Sequence, residues 1–342
     1  MYQGTQADPI DPEALMVTAG NSQAISHAAM ALTRSNKRVF VEEPTYFLAH
    51  DIFRELGLDL RGIHVGKQGI DHCAAIQLDV LEEQLIAGNV PAFLYTIPFF
   101  HNPTGAVLAA DRCKRLVALA QEYGFHIISD EPYNLLSLDG DSLPSLASYD
   151  NSGLVISLGS FSKILAPGLR LGWAQSSKET IQTLSAIGPL RSGGGQNPVT
   201  AALVHSVLEQ NLLLPHVDSL KRVFQARKAT MCAALRELCP QGEFAEPIGG
   251  YFVWLQLPDG VEANALLEEA QVHHGVAFTP GSRCSLGALY GDGDGGVPAV
   301  NGALTRCVRL SFAFYDEDEI RTGIQRLQSA LRVIESTRSG GP

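Results

Sequence analysis

The stretch Phe125-His126-Ile127-Ile128-Ser129-Asp130-Glu131-Pro132-Tyr133 decides the fold. It opens as a short, continuous apolar run, which reads as a strand buried on both faces of a parallel sheet. Asp130 closes the run, and an acid desolvated at a strand end needs a cationic partner. Upstream, Asp111–Tyr123 has helical period, with Cys113, Leu116, Val117 and Ala120 sharing a face. An acid starts that helix and Gly124 follows it, as capping physics favours. Further apolar runs stand at Val39-Phe40-Val41, Ala92-Phe93-Leu94-Tyr95 and Leu154-Val155-Ile156-Ser157. Strands alternating with helices from about Leu15 to Trp173 predict an α/β layered domain.

After Gln196 the texture changes. A helical stretch from about Asn197 to Leu238 leads into the strand-like run Gly249–Leu255. An amphipathic helix at Asn264–His273, short strands near Val276 and Cys307–Phe312, and a last helix from Asp316 follow. This part reads as a smaller α+β domain. Gly287–Ala303 holds six glycines and reads as an exposed flexible loop. The expected division is a large domain over residues 15–222 and a small one over 223–342, with 1–14 as a short N-terminal remnant.

Composition narrows the function classes. The chain has 342 residues, 45% hydrophobic and 18% charged, which is globular and long enough for two domains. Its net charge of −11 disfavours phosphate-backbone binding, so no nucleic-acid partner is expected. No apolar window reaches membrane-spanning length, and the start Met1–Glu13 lacks the basic and apolar regions of a secretory signal. Six scattered cysteines, Cys73, Cys113, Cys232, Cys239, Cys284 and Cys307, read as reduced thiols of a cytoplasmic protein. No histidine or cysteine spacing suits a metal.

Several motifs are decoys. Gly291–Gly296 fits GxGxxG, but lacks the flanking strand and helix and carries two aspartates that would repel a pyrophosphate. Gly62–Lys67 is one residue short of a Walker loop. Ser160–Lys163 matches SxxK, but without the companion motifs of serine acyl-enzymes.

Four segments remain, each at the carboxyl end of an expected strand, where open α/β sheets place ligands. Ala19-Gly20-Asn21-Ser22-Gln23 is a small polar turn opening a helix, suited to a phosphate. The others are Phe100-His101-Asn102-Pro103-Thr104-Gly105, Ser129–Tyr133, and Ser157–Arg170, SLGSFSKILAPGLR. In this order they fit pyridoxal phosphate, which needs an amine, an acid for its ring nitrogen, donors for its phenolate and an anion cradle.

With the motifs HNPTG, SDEPY, SFSK-x6-R and RLSF, the sequence resembles the fold type I pyridoxal-phosphate aminotransferases of class I/II, on the branch of the aminoadipate and kynurenine enzymes. The likeness runs from about Leu15 to Leu331. It implies a mainly parallel sheet covered by helices, a smaller C-terminal domain, and amino-group transfer between an L-amino acid and a 2-oxo acid. By the same resemblance, Lys163 is the Schiff-base lysine and moves the proton in the 1,3-shift. Asp130 pairs with the pyridinium nitrogen, and Asn102 and Tyr133 bond the phenolate oxygen. Ser22, Gln23, Ser160, Ser162 and Arg170 hold the phosphate, Tyr46 stacks on the ring, and Arg309 grips the substrate α-carboxylate. Arg191 and Gly193-Gly194-Gly195 fall where the family approaches a partner subunit, and a homodimer is implied.

Only nineteen residues precede Gly20, where the family usually carries several dozen. The expectation is a missing N-terminal arm, with Tyr2-Gln3-Gly4 a faint trace of its tyrosine motif. The motifs leave three alternatives open. These are a β-eliminating lyase or synthase of the same fold, a sensor domain like those fused to winged helices, and a weakened remnant.

Overall fold

The computed structural model describes residues 10–66, 76–140, 142–287 and 302–339. The first half alternates as β1 (Leu15–Thr18), α1 (Asn21–Leu32), β2 (Arg38–Glu43), α2 (Phe47–Glu55), β3 (Asp59–His64), α3 (Leu78–Ile86), β4 (Phe93–Thr96), α4 (Ala110–Tyr123), β5 (His126–Asp130), β6 (Val155–Ser160) and β7 (Gly172–Gln175). These strands form one sheet of order β1-β7-β6-β5-β4-β2-β3. All pairs from β3 to β6 are parallel, and β7 runs against both of its neighbours.

Alternation along the strands explains why each reads as a continuous apolar run. Val39, Val41, Phe93, Tyr95, Ile128, Ile156 and Leu158 pack on one face with Ala24, Ile25, Ala28 and Ala29 of α1. Phe40, Leu94, Ile127 and Val155 pack on the other with Leu116, Val117 and Ala120 of α4. Both faces are covered, so no polar face survives in the pattern. Gly124 ends α4 in the left-handed region at φ 73°, as its position predicts. Gly159 on β6 is demanded by close approach, since a Cβ there would lie 2.0 Å from Trp173 Cζ2 on β7.

The chain continues through α5 (Lys178–Ser185), the short α6 (Gly188–Arg191), α7 (Pro198–Glu209) and α8 (Leu213–Leu238). The helical stretch expected as one piece is broken at residues 210–212, where Asn211 takes φ 54°. A three-stranded antiparallel sheet follows, in the order β8-β10-β9. It is built from β8 (Phe252–Gln256), β9 (Thr279–Pro280) and β10 (Cys307–Ser311), with α9 (Ala263–His273) between β8 and β9 and α10 (Glu317–Ser339) closing the chain. The strand expected near Val276 lies instead at β9, and the expected boundary at 222/223 falls inside α8. Most of the glycine-rich Gly287–Ala303 segment lies outside the described residues, as do Cys73 and Tyr2-Gln3-Gly4. Cys113, Cys232, Cys239, Cys284 and Cys307 are buried. Among the described residues no helix is long and apolar enough to cross a membrane.

Candidate active site

Parallel register brings the carboxyl ends of β4, β5 and β6 level, with Thr96 beside Ser129 and Asp130 beside Leu158. A cavity of about 360 Å³ opens there, lined by Asn21, Ser22, Tyr46, Asn102, Asp130, Tyr133, Ser160, Ser162, Lys163, Arg170 and Arg309. Segments far apart in sequence therefore share one chamber, because each follows a strand of the same sheet or, for Arg309, lies on β10. A larger groove of about 710 Å³ runs along α10 and also touches Arg309, but it lies away from Lys163 and Asp130.

Asp130 ends β5 with a donor on each oxygen. Asn21 Nδ2 donates to Oδ1 at 2.5 Å and the Tyr95 hydroxyl donates to Oδ2 at 2.8 Å. Burial pushes its carboxyl above the ordinary range, while Tyr95, Asn21 and the Lys163 charge pull it back down. Sequence reasoning misses the roles of Asn21 and Tyr95. The signal for Tyr95 is a phenol inside an otherwise apolar buried strand, which must find a partner. Asn21 is visible only as part of a polar turn.

Lys163 follows β6, and its carbonyl accepts a 2.8 Å bond from the Tyr251 hydroxyl. Its Nζ stands 5.5 Å from the Tyr251 ring centroid. Burial lowers its amine, the nearby Arg309 and Arg170 charges lower it further, and Asp130 opposes them. A larger fraction is then the neutral, nucleophilic base.

The anion cradle is built at the start of α1. Gly20 sits there at φ 88°, and a Cβ on it would meet Arg170 Nη2 at 2.7 Å, so the guanidinium occupies the space a side chain would fill. Arg170 Nη1 donates to Ser162 Oγ and to the Pro167 carbonyl, each at 3.1 Å. The Ser162 amide donates to Ser160 Oγ at 3.1 Å. No side chain caps α1, so its first N–H groups are left for a ligand. Gln23 departs from expectation in its side chain. Its Oε1 accepts from the Ala19 amide at 2.7 Å and its Nε2 donates to the Gly194 carbonyl at 3.2 Å, which leaves only its backbone N–H for the cradle. Arg191 is exposed and does not line the cavity.

Arg309 enters from the other sheet. Its Nη1 donates to Asn102 Oδ1 at 2.7 Å and its Nη2 to Thr279 Oγ1 at 3.0 Å, and Phe252 lies under it at 4.3 Å from the ring centroid. Tyr133 is buried against Tyr251 and Phe252, and that burial pushes its hydroxyl up, so it stays protonated. Tyr46 precedes α2, where burial likewise raises its phenol. Among the described residues no group of three or more His, Cys, Asp or Glu side chains is placed to hold a metal.

An amine lowered by burial, an acid held by two donors and an arginine-serine cradle at a helix start together suit a phosphorylated aldehyde cofactor. Among the described residues, the buried Asn21 Oδ1 has no hydrogen-bond partner. The family model described as aminotransferase class I and II matches residues 2–327. This chain belongs to that family. The aminotransferase is 32% identical over 329 residues to aromatic-amino-acid aminotransferase 1 of Thermococcus litoralis, covering 95% of this chain and 74% of the relative. The crystal structure of Pyrococcus horikoshii kynurenine aminotransferase superposes with a TM-score of 0.82 at 30% identity, covering 95% of this chain and 76% of that one. LysN, the α-aminoadipate aminotransferase of Thermus thermophilus, solved with N-(5'-phosphopyridoxyl)-L-leucine, gives 0.82 at 31% identity, covering 95% and 79%. The enzyme is a pyridoxal-phosphate-dependent transaminase of fold type I, acting on an amino acid and a 2-oxo acid. Elimination chemistry, which the motifs left open, is not favoured by these relatives.

Proposed function

We propose that transamination in this chain runs on Lys163 and Asp130 inside the 360 Å³ cavity, with Arg309 as the substrate anchor. The observation that carries this reading is the meeting of a half-buried lysine and a buried, doubly bonded aspartate in one chamber completed by an arginine from the second sheet. Pyridoxal phosphate, when bound, supplies a carbonyl that condenses with amines and a ring that accepts electrons released at Cα. Ser22, Ser160, Ser162, Arg170 and the N–H groups opening α1 would hold its phosphate. Tyr46 lies along the cavity wall where a ring would stack.

The protein's own groups divide the remaining work. Asp130 would accept from the ring N–H of the bound cofactor and favour its protonated form. Asn102 gives its Oδ1 to Arg309, so its Nδ2 is the end left to donate to the ring oxygen, beside the protonated Tyr133 hydroxyl. Arg309 presents a planar fork to the α-carboxylate. Lys163 Nζ would be the group placed to take the substrate Cα proton and to give a proton back.

The larger unit corresponds to residues 15–222 and the smaller to 223–342, with α8 shared between them. A homodimer is supported by the apolar outer face of α7, where Val199 is 65% and Leu203 56% exposed, next to the loop whose Gly194 carbonyl touches Gln23. Scattered, buried cysteines fit a cytoplasmic location.

The test is the visible spectrum of protein purified with pyridoxal phosphate, before and after an amino-acid mixture. A band that shifts on amine transfer and returns with a 2-oxo acid supports the reading. Amino-group transfer that persists unchanged in Lys163→Ala overturns it.

A further inference from the structure

We infer that Tyr251 is a positioning residue for Lys163, fixing the backbone of the lysine's turn from the side of the second sheet. The inference rests on the transaminase reading above and adds to it the residue that holds the reacting amine in place.

The turn that carries the lysine cannot satisfy the lysine's own carbonyl. Leu165 and Ala166 both give their amides to the Phe161 carbonyl, at 2.9 and 3.1 Å. Ala166 then turns extended, at φ −157° and ψ 132°. The next residue is Pro167, which has no N–H. The Lys163 carbonyl therefore draws no helical bond from the residues three and four places on. The Tyr251 hydroxyl supplies the donor instead, at 2.8 Å. Burial pushes that phenol up to about 12, so it stays protonated and able to donate. The ring of the same side chain lies 5.5 Å from Lys163 Nζ. One tyrosine thus faces the lysine at both ends, its carbonyl and its amine.

Packing holds the tyrosine itself. Its ring is flanked by Tyr133 at 5.3 Å, Phe224 of α8 at 5.2 Å and Phe252 at 6.1 Å between centroids. The turn before it is tied to the segment that follows Tyr133. There the Gly250 amide donates to the Leu136 carbonyl at 3.0 Å, and the Leu138 amide to the Ile248 carbonyl at 2.9 Å. Gly250 sits at φ 72°, and a Cβ on it would lie 2.8 Å from Phe100 Cβ, two residues before Asn102. Tyr251 therefore stands where the segments carrying Asn102, Tyr133 and Lys163 meet. A lysine whose backbone is anchored moves its Nζ through one narrow arc. A loose turn spreads that arc over several geometries and lowers the fraction poised to react.

The experiment uses the full chain loaded with pyridoxal phosphate and compares Tyr251→Phe, which keeps the ring, with Tyr251→Leu, which removes it. Tyr251→Phe is expected to lower kcat for amino-group transfer about tenfold, with KM for the amino acid unchanged and the thermal midpoint near the parent's. A second readout needs no turnover. Pyridoxal phosphate is added to cofactor-free protein and the rise of its visible band is timed, a rise that Tyr251→Phe should slow severalfold. Tyr251→Leu should lose more on both measures. A Tyr251→Phe enzyme equal to the parent in kcat and in cofactor capture overturns the inference. So does a loss confined to the thermal midpoint, as a merely structural tyrosine would give, or a change in KM alone. Absence of transfer from any amino acid in the parent would sink the transaminase reading instead, a different outcome from transfer that ignores Tyr251.

Discussion

Asp130 and Glu131 are neighbours at the end of β5, and the pleat sends them to opposite sides of the sheet. On one side, Asp130 meets Asn21 and Tyr95 and faces the cavity with Lys163 in it. On the other, Glu131 accepts from Ser129 Oγ, Ser157 Oγ, Asn134 Nδ2 and the Leu146 amide at 2.6–3.0 Å. Burial drives both carboxyls upward, Glu131 to about 7. The difference lies in what surrounds them. Glu131 is enclosed by protein donors that tie the residue-146 turn and β6 to β5, which makes it a structural knot. Asp130 has donors that fix its orientation and lines the cavity, which suits it to the reagent's role proposed for it.

That contrast yields predictions of opposite kinds. The largest effect belongs to the reagent. Asp130→Asn is expected to lower kcat/KM for transfer by about 10³-fold, since a preorganised charge facing the ring nitrogen is removed. Its thermal midpoint should stay near the parent's, and a variant that unfolds instead would place Asp130 with Glu131.

Glu131→Ala should behave in reverse. It strands several buried donors and is expected to cost about 3–4 kcal/mol in urea unfolding. Transfer per folded molecule should change little. Loss of turnover with unchanged stability would erase the contrast.

His50 is a third buried titratable group and shows what happens with no partner. Among the described residues neither ring nitrogen has a hydrogen-bond partner, and burial lowers the ring to about 4. Between pH 6.5 and about 4 the unfolded chain therefore binds a proton that the folded chain refuses, so stability falls as pH drops through that window. Relative to His50→Phe, the parent should lose about 2–3 kcal/mol across it, read from urea midpoints at several pH values.

The smallest change sharpens the Asp130 side alone. Tyr95→Phe removes one of its two donors and should cost about tenfold in kcat/KM, the worth of one charge-assisted bond. A raised apparent pKa in the pH profile would mark the lost donor, because Tyr95 pulls Asp130 downward.

Legibility follows the same division. Strands β2, β4, β5 and β6 are readable because double burial writes itself as an apolar run. β1, β3 and β7 are not. β3 carries exposed residues at four of its six positions, β1 has one buried position in four, and β7 reads Gly-Trp-Ala-Gln with no apolar run. The lysine, the acid, Asn102 and Arg309 are legible because their motifs are dense and ordered. Asn21, Tyr95 and Thr279 are not, since each touches the site through a neighbour distant in sequence. Gln23 shows the converse. Its motif places it at the start of α1, but its side chain is drawn off by Ala19 and Gly194.

The sequence by itself determined the alternation of strand and helix, the polar turns at strand ends and the chemistry their residue types could carry. Those follow from local periodicity and composition, which a linear chain displays directly. Tertiary structure alone decided that β7 runs antiparallel, that Asp130 faces the cavity while Glu131 faces the core, and that Tyr251 meets Lys163. Each of these depends on which side of a sheet a residue faces or which distant segment meets it. Only packing fixes those choices.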